Sequence, residues 1–172
     1  MILGIPASAY TLIHVIASLI GIASGLVGLY GLLHAKRLDR WTAVFLVTTA
    51  ATSLTGFGFP FDHLLPSHKV GILSLVVLAV AALARYAFHL SGPWRWVYVL
   101  TAQLALYLNV FVLVFQGFEK VPALKALAPT QSEAPFLIAQ LIVLAIFVGL
   151  TIAAVRRFHV DQARPAALGK AS

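Results

Sequence analysis

Five long apolar runs decide what this chain can become. They cover residues of about 10–33, 41–58, 68–90, 95–116 and 135–158, and a helix needs roughly 20 apolar residues to cross a bilayer core. The polar connections between the runs are short, so no extramembrane domain fits. Residues 1–172 therefore read as a single transmembrane helical domain, an all-α bundle of five transmembrane helices. Composition agrees: 61 % of the residues are hydrophobic against 10 % charged, with a mean hydropathy of +0.97, and a water-soluble domain needs more polar surface than that. The first run is too long for the centre of a cleavable signal and is expected to stay. Gly56, Gly58 and Pro60 end the second run, and Ser91-Gly92-Pro93 ends the third. Ser67, after Pro66, is placed to cap the third helix.

The distribution of charge sets the orientation. Lys36, Arg37 and Arg40 follow the first run, Arg85 and Arg95 flank the turn after the third, and Arg156, Arg157, Arg164 and Lys170 follow the fifth. The opposite side carries only Lys69, Lys120 and Lys125. Basic residues favour the cytoplasmic side, so the amino terminus is expected outside and the carboxyl terminus in the cytoplasm, in a bacterial inner membrane. Trp41, Trp94 and Trp96 all fall at the same cytoplasmic boundary, where indoles settle at headgroup level. The net charge of +7 is explained by these flanks and not by nucleic acid. The partners expected are the lipid bilayer and other membrane proteins or further copies of the chain.

Several chemistries are excluded. The chain has no Cys, which removes disulfides, iron–sulfur clusters and thiolate metal sites. There is no His-Glu-x-x-His pair, no Gly-x-Ser-x-Gly elbow and no phosphate-binding glycine loop. Asp39, Asp62, Glu119, Glu133 and Asp161 all lie in loops or at helix ends, so a carboxylate proton relay through the bilayer is missing. No internal repeat is visible, which separates the chain from transporters built of two halves.

Small and polar residues then mark helix contacts. Ser18, Gly21, Gly25 and Gly28 recur at three and four residues and form a smooth stripe on the first helix, with Gly21, Gly25 and Gly28 as the packing positions. Thr48, Thr52 and Thr55 share a face of the second helix and are expected to oppose that stripe, their hydroxyls bonding back to their own carbonyls. Asn109 and Gln116 share a face of the fourth helix, and Asn109 is deep enough to need a partner on another helix, with Gln140 a candidate. Residues 122–128 form either a short surface helix or an irregular loop.

Functional chemistry is expected at the outer end, where His14, Asp62, His63, His68 and Lys69 gather. Asp62, His63 and His68 form a candidate metal set, although their spacing matches no standard motif. The alternative is a haem b or a quinone bound by His14 and His68, with Gly21 leaving room below His14 for a flat ring. His34 and His89 lie near the inner surface, but twenty residues is about 30 Å of helix, and the same twenty steps turn His34 roughly 160° from the face of His14. One outer haem therefore fits better than two. A His opening the third helix, Gly71 three residues on, and glycines below a His on the first helix resemble membrane cytochromes b in architecture alone, which identifies no family. The best specific reading is a membrane redox subunit that binds haem b or quinone through outer histidines. The alternatives are an oligomeric transporter or channel for a metal ion or small solute, and a non-catalytic scaffold or assembly factor. No catalytic residue is assigned.

Overall fold

A computed structural model describes residues 4–59 and 66–159. Among the described residues the chain is helical throughout: α1 (Ala7–Leu33), α2 (Asp39–Gly56), α3 (Pro66–Ala82), α4 (Trp94–Lys120), α5 (Pro122–Leu127) and α6 (Ala134–Arg157). The last turn of α3 widens into a π-helix, Leu83–Ala87. Four of these segments are long and apolar enough to cross a membrane: α1, residues 68–87, α4 and α6. α2 differs because six of its residues carry hydroxyls, namely Thr42, Thr48, Thr49, Thr52, Ser53 and Thr55.

α4 is the hub. It packs against α1, α3, α5 and α6, while α2 lies between α1 and α3 and makes its most extensive contact with α1. The core gathers Leu29, Phe45, Leu78, Val99, Leu106 and Phe147 from five helices. The surface is as apolar as the core, since Leu12, Val47, Leu54, Val76 and Leu141 are all exposed. Polar side chains go the other way: Ser24, Thr49, Gln103 and Asn109 are buried. Apolar outside and partly polar inside is the distribution expected where the surroundings are hydrocarbon and helices are joined by hydrogen bonds.

A left-handed residue closes the α1–α2 hairpin tightly. Ala35 adopts a left-handed conformation (φ +53°), and the Lys36 N–H donates to the Gly31 carbonyl at 2.8 Å, closing the helix end. A Cβ at Gly31 would stand 2.9 Å from the Lys36 carbonyl oxygen, so glycine is required there. α3 ends in a similar closure, with the Phe88 N–H donating to Leu83 O and the Leu90 N–H to Ala84 O, both at 3.0 Å. His89 and Leu90 are left-handed in succession (φ +50° and +60°). α5 settles the alternatives for 122–128: Pro122 opens a short helix, and Leu124 packs on the Phe118–Phe136 cluster of α4 and α6. Before α6, Glu133 accepts hydrogen bonds from Thr130 N at 3.1 Å, Thr130 Oγ1 at 2.8 Å and Ser132 N at 3.1 Å, fixing the turn that aims the helix.

Candidate functional site

The glycine stripe is engaged over part of its length. A Cβ at Gly21 would lie 3.0 Å from Thr49 Oγ1, 3.2 Å from Thr48 Oγ1 and 3.5 Å from Asn109 Nδ2. At Gly25 it would meet Leu106 Cδ1 at 2.6 Å and Phe45 Cδ2 at 2.8 Å, whereas at Gly28 it would meet nothing within 4 Å. Asn109 Nδ2 donates to Thr49 Oγ1 at 3.0 Å, so α2 and α4 are joined by a buried amide seated beside Gly21 of α1. The space next to Gly21 is therefore filled by α2 and α4. Thr52 Oγ1 donates to its own helix at Thr48 O, 2.9 Å. Gln140 Nε2 donates to the Phe111 carbonyl at 3.1 Å and does not meet Asn109, because the face of α4 that carries Asn109 turns toward α2 and away from α6. Ser74 Oγ and the side-chain oxygens of Gln103, Gln116 and Gln140 have no partner among the described residues.

The amino-terminal end of α1 and the carboxyl-terminal end of α2 build a small aromatic enclosure around His14. Tyr10 donates its hydroxyl to the Thr55 carbonyl at 2.8 Å, and the Phe59 ring meets Tyr10 and His14 edge-on at centroid distances of 5.2 and 5.3 Å. A Cβ at Gly58 would run into the Tyr10 hydroxyl, which makes glycine a condition of this approach. His14 Nδ1 lies 2.8 Å from Thr55 Oγ1, and Thr55 Oγ1 lies 2.7 Å from Ala51 O. A carbonyl can only accept, so the single Thr55 proton goes to Ala51 and the imidazole must donate from Nδ1. The neutral ring then carries its lone pair on Nε2, which has no hydrogen-bond partner among the described residues. This is the tautomer used by metal-ligating histidines whose other nitrogen is held by an acceptor.

His68 is 4 % exposed at the start of α3, and the Phe57 ring lies over it at 5.4 Å. A Cβ at Gly71 would sit 3.3 Å from the same Phe57 ring. His14 and His68 thus flank α2 from opposite neighbours, each against a different phenylalanine of its carboxyl end. Asp62 and His63 lie outside the described residues. Among the described residues, no three His, Asp or Glu side chains come together as a metal site.

A second polar centre, which the sequence did not reveal, lies where the start of α2 meets the π-helical turn. Arg85, in the π-helical turn, is 3 % exposed and forms an ion pair with Asp39 at the start of α2. Its guanidinium also lies 5.1 Å from the centroid of the buried Tyr98 ring, a cation–π contact. Arg37 approaches Asp39 from solvent at 3.7 Å. Nearby, Arg95 donates to the Phe158 carbonyl and ties α4 to the end of α6. The available signal was an arginine preceded by an unbroken apolar helix, since charge buried there demands a partner. His34 is exposed and bonds Tyr30 O at 2.8 Å within its own helix. Comparison with protein families, with curated proteins and with solved structures finds no match.

Proposed function

We propose that the chain is a five-crossing membrane redox subunit, amino terminus outside and carboxyl terminus cytoplasmic, that holds a quinone-class carrier at its outer end through His14. α2 is the fifth crossing. Its hydroxyls bond their own carbonyls at Val44, Thr48 and Ala51, at 2.7, 2.9 and 2.7 Å, and α1 and α3 flank it, which lowers the cost of a hydroxyl-rich helix in lipid. Reporter fusions after Gln131 are expected to read outside and fusions at the carboxyl terminus cytoplasmic. The reverse at either position would overturn the five-crossing arrangement.

The observation that carries the functional reading is the bare Nε2 of His14, held in place by Thr55 beside the rings of Tyr10 and Phe59. An unprotonated Nε2 accepts a hydrogen bond from a quinol hydroxyl and can take up its proton, while the aromatic walls suit a flat headgroup. The same nitrogen has the form needed to ligate haem iron. The filled space beside Gly21 favours the smaller quinone headgroup over a macrocycle.

The test is binding of a short-chain quinone and its quinol to the detergent-solubilised protein. His14→Ala should weaken quinol binding about tenfold, the weight of one hydrogen bond. Thr55→Val should weaken it less, because the ring remains but its tautomer is released. Undiminished binding by His14→Ala would overturn the proposal. Sharp reduced-minus-oxidised bands of a low-spin haem, lost in His14→Ala, would replace the quinone by haem b at the same residue. A colourless protein that binds neither leaves the transporter and scaffold readings.

A further inference from the structure

α2 and α3 do not close against each other along their whole length. Between them runs an apolar groove of about 520 Å³, with Ala43, Val47 and Ala50 on one wall and Leu75, Ala79 and Ala82 on the other. The alanines leave the gap that larger side chains would fill. Tyr86, half exposed, stands at its inner end. From Leu75 to Tyr86 is eleven residues, about 16 Å of helix, close to half of the roughly 30 Å hydrocarbon core. The groove is one leaflet long. A crossing helix of a second copy would need the full thickness, whereas an acyl chain entering from the inner surface needs only this length.

The mouth of the groove carries a charge. Arg40 precedes Ala43 by three residues and Val47 by seven, so it stands at the Val47 edge of the groove's face of α2, one turn nearer the surface. Beside it is Asp39, which precedes Ala43 by four and Leu46 by seven and is itself paired with Arg85. Side chains in a helix lean toward its amino terminus, which carries the Arg40 guanidinium toward the headgroup level. Its neighbours Arg37 and Arg85 are both engaged by Asp39, while Arg40 is exposed and forms no ion pair among the described residues. Trp41, also exposed, sits beside it.

We propose that this groove binds one acyl chain of an anionic phospholipid whose headgroup phosphate rests on Arg40. The proposal rests on the chain being embedded in a bilayer, but not on the quinone reading. Its test compares phosphatidylglycerol and phosphatidylcholine of identical chains, added to the delipidated full-length protein in detergent. Bound lipid is counted by native mass spectrometry, and thermal stability is followed in parallel. Phosphatidylglycerol should be retained in preference and should raise the melting temperature. Arg40→Gln, a surface change that leaves the core intact, should reduce that preference about fivefold, the weight of one basic residue at an anionic surface. Ala79→Phe, which fills the groove, should abolish retention of both lipids, and inorganic phosphate should not stabilise the protein. Equal retention of the two lipids by the wild type, an unchanged preference in Arg40→Gln, or undiminished binding in Ala79→Phe would each overturn the proposal. Failure of the membrane reading would appear differently, as a protein that stays monodisperse in water without detergent.

Discussion

Gly25→Leu will cost the bundle about 3 kcal/mol, while Gly28→Leu, one turn along the same stripe, will leave it at least as stable as the wild type. At position 25 even a single Cβ would press on Leu106 Cδ1 and Phe45 Cδ2, at 2.6 and 2.8 Å, and both side chains are buried in the core. At position 28 nothing stands within 4 Å, so the new side chain meets open space and the helix gains up to about 1 kcal/mol of propensity that glycine withholds. The measurement is the apparent melting temperature and monodisperse yield of the two variants in one detergent. Equal losses would mean that the stripe matters for backbone flexibility and not for contact.

The second large effect concerns Arg85 and Asp39, and the asymmetry is the informative part. The Asp39 side chain is 66 % exposed and keeps Arg37 within 3.7 Å, whereas Arg85 is 3 % exposed. Asp39→Ala strands a buried cation, with the Tyr98 and Tyr86 rings left to face it. Arg85→Leu strands an anion that water and Arg37 can still solvate. Asp39→Ala is therefore expected to cost about 2 kcal/mol, below the range for a fully buried pair because one partner is solvated, and Arg85→Leu is expected to cost less. The double variant should be more stable than Asp39→Ala alone, since no unpaired charge remains. Strictly additive losses in the double-mutant cycle would show that the two residues do not depend on each other.

The helices were legible because each long apolar run, bounded by glycine, proline or basic residues, has few other structures open to it in a bilayer. The sequence suggested a contact between the first two helices, since small residues recur on both and the turn between them is short. It placed Thr48, Thr52 and Thr55 against the stripe, whereas Gly21 faces Thr48 and Thr49, and Thr55 meets His14. Where the stripe stops was not legible. Gly21, Gly25 and Gly28 are equivalent by spacing, but helices cross at an angle and part company after a few turns, and that angle depends on all neighbours together. Asn109 could be read as needing a partner, yet choosing between Thr49 and Gln140 requires the rotation of α4. Arg85 and Asp39 are 46 residues apart and looked like separate flanks of two turns. The tautomer of His14 was beyond reach for the same reason: it depends on a threonine 41 residues away whose own proton is spent on a carbonyl.

The π-helical turn at Leu83–Ala87 has a consequence for chain length. A π turn holds one residue more than the α-helix it interrupts, and one residue is about 100° of rotation. α3 can take up a single-residue deletion within this stretch by tightening back to regular α-helix, leaving its long upstream face in register with α2 and α4. Removing Leu83 or Ala84, ahead of Arg85, would swing Arg85 away from Asp39. Indel tolerance and the Arg85–Asp39 pairing are thereby coupled: the spare residue in α3 is what turns a cation toward the core.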